Sequence, residues 1–202
     1  MAKRTPVVFI VHDADETRSR SQSLVEAAGL QTRVYFDATT FLKEVRADEP
    51  GCLVIGARVD SLCAAEVQKA LLLRDAALPM IVLASDGDME SAVSALKVGA
   101  LDVLEARLLQ ERLLPLVLSA LATDLGSRFS RLERDDVRLR YAELTPRECE
   151  VLRLVLEGET SNAIAKQLGV REKTIEVYRS HINRKMRVRN AVQLAQVVQG
   201  VT

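Results

Sequence analysis

Between residues 6 and 124 the chain repeats one pattern five times: a short strand-like run, then a longer segment with apolar residues at helical spacing. The runs are 7–11, 32–35, 52–55, 80–84 and 102–104; the amphipathic segments lie near 16–28, 38–47, 63–75, 89–98 and 108–123. Runs such as Val7-Val8-Phe9-Ile10-Val11 lack polar alternation, so both faces of those strands are buried. Strands alternating with helices achieve that as a parallel sheet covered on both sides. The predicted fold class for this half is α/β, a five-stranded doubly wound parallel sheet. In such a sheet function gathers in the loops at the carboxyl ends of the strands. Those loops begin after Val11, Ile55, Ala84 and Leu104.

The last quarter has a different period and predicts four short helices. Thr145-Pro146-Arg147-Glu148 is a helix start, with Thr145 and Glu148 spaced as a capping box and Pro146 in the first turn. Val151, Leu152, Val155 and Leu156 follow at helical spacing until Glu157-Gly158. A second helix runs over 161–168, and Gly169 supplies the left-handed residue of a tight turn. The third spans 172–188 and the fourth 190–198. Two helices joined by a glycine turn, the later one basic, form the helix-turn-helix arrangement that lays a helix in the DNA major groove.

Charge supports that reading. The formal net charge is zero. Yet residues 1–126 carry 13 basic against 18 acidic side chains, and residues 127–202 carry 15 against 10. Seven of the 15 fall between Arg171 and Arg189. Such clustering is the electrostatic footprint of phosphate contact. On the third helix Ile175, Tyr178, Ile182 and Met186 share a core-facing stripe. Lys173, Glu176, Val177, Ser180 and Arg184 share the opposite face. Lys173, Thr174, Arg179, Arg184 and Lys185 read as phosphate contacts that set position without reading sequence. Helix capping by Thr174 and a salt bridge from Arg179 are the competing structural readings. No run approaches 18 apolar residues, which argues against a membrane span. Cys52, Cys63 and Cys149 in apolar surroundings suit a reducing compartment and a cytoplasmic chain without disulfides, metal or cofactor.

The motifs L-T-P-R-E-x-E-V-L, G-x-x-x-x-x-I-A-x-x-L and K-T-I-E-V-Y-R-S-H-I-N-R-K-M resemble the LuxR-type (NarL/FixJ) DNA-binding domain. By that resemblance Glu176, Val177 and Ser180 reach base edges. Glu176 is suited to accept from a cytosine amino group, and Val177 to pack on a thymine methyl. The resemblance also assigns the fourth helix, with Val192, Leu194, Ala195 and Val198, to pairing two domains on a two-fold site.

The first half is similar to the receiver domain of FixJ-type response regulators, through A-A-G-L, F-D-A-x-x-F-L, P-G-C-L-V, L-P-M-I-V-L, G-D-M-x-x-A-V and A-L-K-V-G-A-L-D-V-L-E. A receiver of that kind phosphorylates itself on a carboxylate after the third strand, with an acidic pair after the first to hold Mg²⁺. A hydroxyl after the fourth strand and a lysine after the fifth bind the phosphoryl oxygens. This chain departs from that pattern. The nucleophile position is Gly56, the acidic pair reads His12-Asp13, the hydroxyl position is Ala84, the aromatic position is Val103, and the lysine–proline pair is Ala106-Arg107. Asp60, Ser85 and Asp86 lie in the right loops but lack the metal cage and lysine. The expectation is a pseudo-receiver that has kept the fold and lost the reaction, with a small vacated pocket.

The reading divides the chain into a pseudo-receiver over 1–124, a helical linker over 125–142 whose weak point is Gly126-Ser127, and an all-α helix-turn-helix domain over 143–202. Pro115 is expected near the first turn of the helix leading into the linker. The apolar stripe along that helix permits a receiver dimer or packs only on its own sheet. The resulting expectation is a non-enzymatic regulator that binds double-stranded DNA as a homodimer, independently of phosphorylation and controlled by expression level, a partner protein or a ligand. An interaction protein that docks a sensor kinase or another response regulator is the competing reading.

Overall fold

A computed structural model describes residues 5–85 and 89–199 of the chain. It divides into two compact units, 1–127 and 128–202. The first holds β1 (Val7–Val11), α1 (Asp15–Ala27), β2 (Gln31–Tyr35), α2 (Ala38–Glu44), β3 (Gly51–Gly56), β4 (Arg58–Val59), β5 (Leu62–Cys63) and α3 (Ala64–Leu72). It continues with β6 (Met80–Ala84), α4 (Met89–Lys97), β7 (Asp102–Glu105), a 3₁₀ turn over Ala106–Leu108 and the start of α5 (Leu109–Ala142). Five strands pair in parallel in the order β2-β1-β3-β6-β7. Alternate side chains of the strands enter two separate cores. Phe9, Val11, Leu53, Ile55, Met80 and Val82 pack beneath residues of α2, α3 and α4. Val8, Ile10, Cys52, Val54, Ile81 and Leu83 pack beneath α1 and α5. Both sheet faces are covered, which is why the strands read as unbroken apolar runs.

One local feature was not anticipated. The chain after β3 turns at once into the antiparallel pair β4–β5, and its turn places Asp60 at φ 55°. The helical pattern expected over 110–141 is α5, one helix of 34 residues that runs through the weak point at Gly126-Ser127. Gly126 and Ser127 are exposed there, so helix continuity costs no packing. The division into the two compact units falls there, after Ser127. Pro115 lies in the second turn of α5 instead of the first. It is exposed, as is Glu111 one turn before it, so water can satisfy the carbonyl that proline leaves without a donor.

The second unit adds α6 (Pro146–Leu156), α7 (Ser161–Leu168), α8 (Glu172–Met186) and α9 (Ala191–Gln199). Its core gathers Val151, Leu152, Val155, Ile164, Ile175, Ile182 and Met186, with Val137 of α5 packed against it. The helix starts follow the sequence signals. Thr145 Oγ1 accepts from Glu148 N at 3.3 Å while Glu148 Oε2 accepts from Thr145 N at 2.8 Å. Gly169 takes φ 65° between α7 and α8, and Asn190 Oδ1 accepts from Gln193 N to start α9.

Candidate functional site

At the carboxyl ends of the strands, the side chains close the surface. His12 follows β1 and is 8% exposed. Its Nδ1 accepts from Ala14 N at 3.0 Å, and the same N–H is shared with Asp13 Oδ1 at 2.8 Å. Nδ1 also approaches Asp13 Oδ1 at 3.2 Å. Arg18, one turn into α1, is 4% exposed. Its guanidinium donates to the carbonyls of His12 (2.7 Å) and Asp13 (3.1 Å) and to the Asp15 carboxylate, and stacks 3.9 Å from the Phe36 ring centroid. A fixed positive charge thus sits where the acidic pair was sought.

The end of β3 is equally full. A Cβ on Gly56 would stand 3.0 Å from Arg58 O and 3.2 Å from both His12 Cδ2 and Val59 Cγ2. Among the described residues, the space beside Gly56 that was expected to be vacated is therefore taken. The imidazole from one side and the buried Val59 of the β4–β5 hairpin from the other have taken the space. Ala84 is buried, Val103 is half-buried against the core, and Ala106 lies in the 3₁₀ turn. Arg107 pairs with Glu105 at 2.5 Å and is mostly exposed. Ser85 is exposed, whereas Asp86 lies outside the described residues. These donors do not fit a divalent cation. Among the described residues, Asp13 is the one carboxylate left of the pair, the histidine nitrogen beside it is already bonded, and a guanidinium occupies both nearby carbonyls and the Asp15 carboxylate. Cys52 lies in the core, where burial first and the nearby Asp124 charge second push its thiol up to about 12, so it is a packing residue.

Installing a carboxylate at position 56 should therefore fail to create a phosphorylation site. Gly56→Asp is expected to destabilise the first unit by roughly 1–3 kcal/mol through overpacking. It should acquire no phosphoryl group from acetyl phosphate, as read by thermal melting and intact-mass measurement. A stable, stoichiometrically phosphorylated variant would contradict this packing account.

On α8 the structure sorts the candidate residues by direction. Lys173, Glu176, Val177, Ser180 and Arg184 are all exposed on one face, with Val177 46% exposed. Lys173 and Glu176 pair at 3.3 Å across that face. Ile175, Ile182 and Met186 turn into the core, with Tyr178 partly buried against it. Thr174 and Arg179 flank the exposed face and are half-buried, and Arg179 donates to Ser161 Oγ of α7 at 3.4 Å. Lys185 differs from the rest. Its Nζ donates to Glu148 Oε2 at 2.7 Å and to Glu143 O at 3.0 Å. The lysine placed among the phosphate contacts is thus an internal strut, because a buried carboxylate on α6 lies within its reach. Sequence reasoning saw Glu148 only as a capping residue, and no local spacing marks its second partner 37 positions on.

A similar correction applies to α9. Leu194 and Val198 are 2% and 5% exposed and complete the core of their own unit, so they are not on a surface for pairing. Val192 is 67% exposed and Ala195 half-buried. A nine-residue helix must bury one face to be stable, and these two positions lie off that face.

Comparison with known proteins assigns both units. Residues 8–117 match the response regulator receiver domain, and residues 142–198 match the bacterial regulatory proteins of the luxR family. The response regulator protein TodT of Pseudomonas putida is 30% identical over 199 residues, covering 98% of this chain and 88% of that protein. The C4-dicarboxylate transport transcriptional regulatory protein DctR of Rhodobacter capsulatus is 33% identical over 192 residues, covering 94% and 98%. Among solved structures, the response regulator StyR superposes with a TM-score of 0.84 at 30% identity, over 96% of this chain and 98% of that one. Full-length FixJ from B. japonicum gives 0.61 at 27%, over 98% of each. No helix among the described residues is long and apolar enough to cross a membrane. The chain therefore belongs to the two-component response regulators, a receiver domain followed by a DNA-binding domain of the luxR family.

Proposed function

We propose that the protein is a cytoplasmic transcription regulator that binds a specific two-fold DNA site as a dimer, with no phosphorylation of its receiver. The observation that carries this reading is the filled end of β3: Gly56 has no side chain to attack phosphorus, and His12 and Val59 close the space above it. The Arg18 guanidinium supports it further by holding a permanent positive charge beside Asp13. A receiver in that condition presents one charge state to its surroundings whatever the supply of phosphodonor. Control then rests on the amount of protein or on a protein partner.

The exposed face of α8 is the proposed groove element. Lys173 and Arg184 set position on phosphates, Thr174 and Arg179 flank them, and Glu176, Val177 and Ser180 meet base edges. Arg184→Ala should weaken binding to all sequences alike and lower the salt slope of log K by about one. Glu176→Ala should instead relax preference at one base pair by about 1–3 kcal/mol and leave the slope unchanged. Titrations against the DNA upstream of its own gene at varied salt read both. Weak, sequence-blind binding by the unaltered protein would count against the proposal.

A further inference from the structure

Helix α8 ends on an arginine in a backbone conformation that four other helix ends of this chain give to glycine. Arg187 takes φ 55° and ψ 43°, and the next N–H, that of Val188, donates back to Asn183 O at 2.9 Å. Helix α7 ends in the same way on Gly169, at φ 65° and ψ 33°, with Val170 N donating to Ala165 O at 3.0 Å. In both, the valine after the turn packs on the core, as left-handed helix ends of this kind require. Gly29, Gly99 and Gly158 close α1, α4 and α6 with the same bond, and Asp75 closes α3. Aspartate tolerates the left-handed region; arginine carries its full cost. A side chain kept where glycine would relieve the backbone points to a use for that side chain.

That use is not internal. Arg187 is exposed, and the guanidinium groups of Arg184, Arg187 and Arg189 have no hydrogen-bond or ion-pair partner among the described residues. Residues 177–202 hold five basic side chains and no Asp or Glu, so no nearby carboxylate in the chain answers their charge. Two of the five are engaged elsewhere: Lys185 by Glu148 of α6 and Arg179 by Ser161 of α7. Offsetting the dipole at the end of α8 is already served by Arg184 and Lys185 in its last turn. With 15 residues α8 is about 22 Å long, whereas the major groove is about 12 Å wide. With Glu176, Val177 and Ser180 at base edges, the far end of the helix meets the phosphate backbone at the rim. We propose that the turn after α8 is a phosphate clamp, with Arg187 as its fixed arm and Arg189 as the second. The bond from Val188 N and the packing of its side chain hold the backbone between the two arginines, which lowers the ordering cost of gripping phosphate. The clamp adds affinity and register and reads no base. It rests on the DNA-binding reading above and extends it to residues beyond the groove helix.

Arg187→Gly in the full chain should move stability and binding in opposite directions. The second unit should melt a few degrees higher, because the backbone strain is relieved. On the DNA upstream of its own gene the variant should bind about fivefold more weakly at about 0.15 M salt, and log K should fall about one unit less steeply with log salt. An unrelated duplex of the same length should lose the same factor, since phosphate contacts carry no sequence. Arg187→Lys keeps the charge and should keep the slope. Adding Arg189→Ala to Arg187→Gly should remove about one further unit of slope. If Arg187→Gly melts higher yet binds with an unchanged slope, the clamp is overturned and the groove helix stands. If Arg187→Gly melts lower, the side chain serves the fold and the clamp is overturned as well. If the unaltered protein binds no duplex at any salt, the DNA-binding reading fails and the clamp fails with it.

Discussion

Lys185→Met is expected to destabilise the second unit by about 3 kcal/mol and to abolish most DNA binding at 37 °C. Glu148 is 3% exposed, and its carboxylate is held by Lys185 Nζ at 2.7 Å and Thr145 N at 2.8 Å, with His181 Nδ1 at 3.9 Å. Breaking a buried pair by removing one partner typically costs about 3–5 kcal/mol, and the partial exposure of Lys185 sets the lower end. Burial alone would raise the Glu148 carboxyl. The Lys185 ammonium and the Thr145 N–H more than offset it, so the folded pKa lies below the ordinary glutamate value. A depressed carboxyl contributes stability that is present above the ordinary value near 4.5 and is lost as pH falls through the folded value. Without Lys185 the carboxyl rises, and the acid loss begins at higher pH. Adding Glu148→Gln should recover part of the loss, because a neutral amide costs less to bury. Urea titrations followed by DNA binding at pH 7 and pH 4 measure this. If Lys185 were a phosphate contact, the variant would keep its stability and lose about one unit of salt slope.

Gly51→Ala is expected to cost the first unit on the order of 4 kcal/mol, enough to unfold a marginal domain. Gly51 opens β3 at φ 154°, opposite Val7 of β1. A Cβ there would lie 1.9 Å from the Val7 carbonyl oxygen and 2.9 Å from its carbon. Both atoms belong to the backbone of a central strand, so relief requires parting β1 from β3. The Gly51 N–H also donates to the buried Asp124 carboxylate at 3.0 Å, and a shift that widened the strands would cost that bond too. Gly29→Ala is the matched control. It has φ 77° with nothing within 4 Å, so only left-handed strain of about 1–2 kcal/mol applies. Thermal unfolding of the two variants separates the clash from the strain. Equal losses would remove the case for backbone contact at Gly51.

The architecture was legible because its signals are local or periodic. The five strands, the Thr145–Glu148 capping box and the Gly169 turn each depend on residues a few positions apart. What escaped depends on distance in the chain or on filled space. Nothing near Arg18 announces that its guanidinium will bind two carbonyls of the preceding loop. The six residues 58–63 carry no alternation long enough to mark a hairpin, yet Val59 from that hairpin helps seal the end of β3. The space beside Gly56 was misjudged, because packing fills voids that a residue-by-residue comparison leaves open. Leu194 and Val198 were misplaced for a related reason. One apolar stripe on a short helix looks the same whether it faces its own core or a partner, and only the fold decides.

The central claim is that the receiver's state does not depend on phosphoryl transfer. Its most direct measurement is the affinity of the full chain for its operator, with and without acetyl phosphate and Mg²⁺, alongside intact mass of the same samples. The expected result is one binding curve for both conditions and no added phosphoryl mass. A stoichiometric acid-labile phosphoryl group, together with an affinity gain of roughly fivefold or more as expected for genuine coupling between sites, would contradict it.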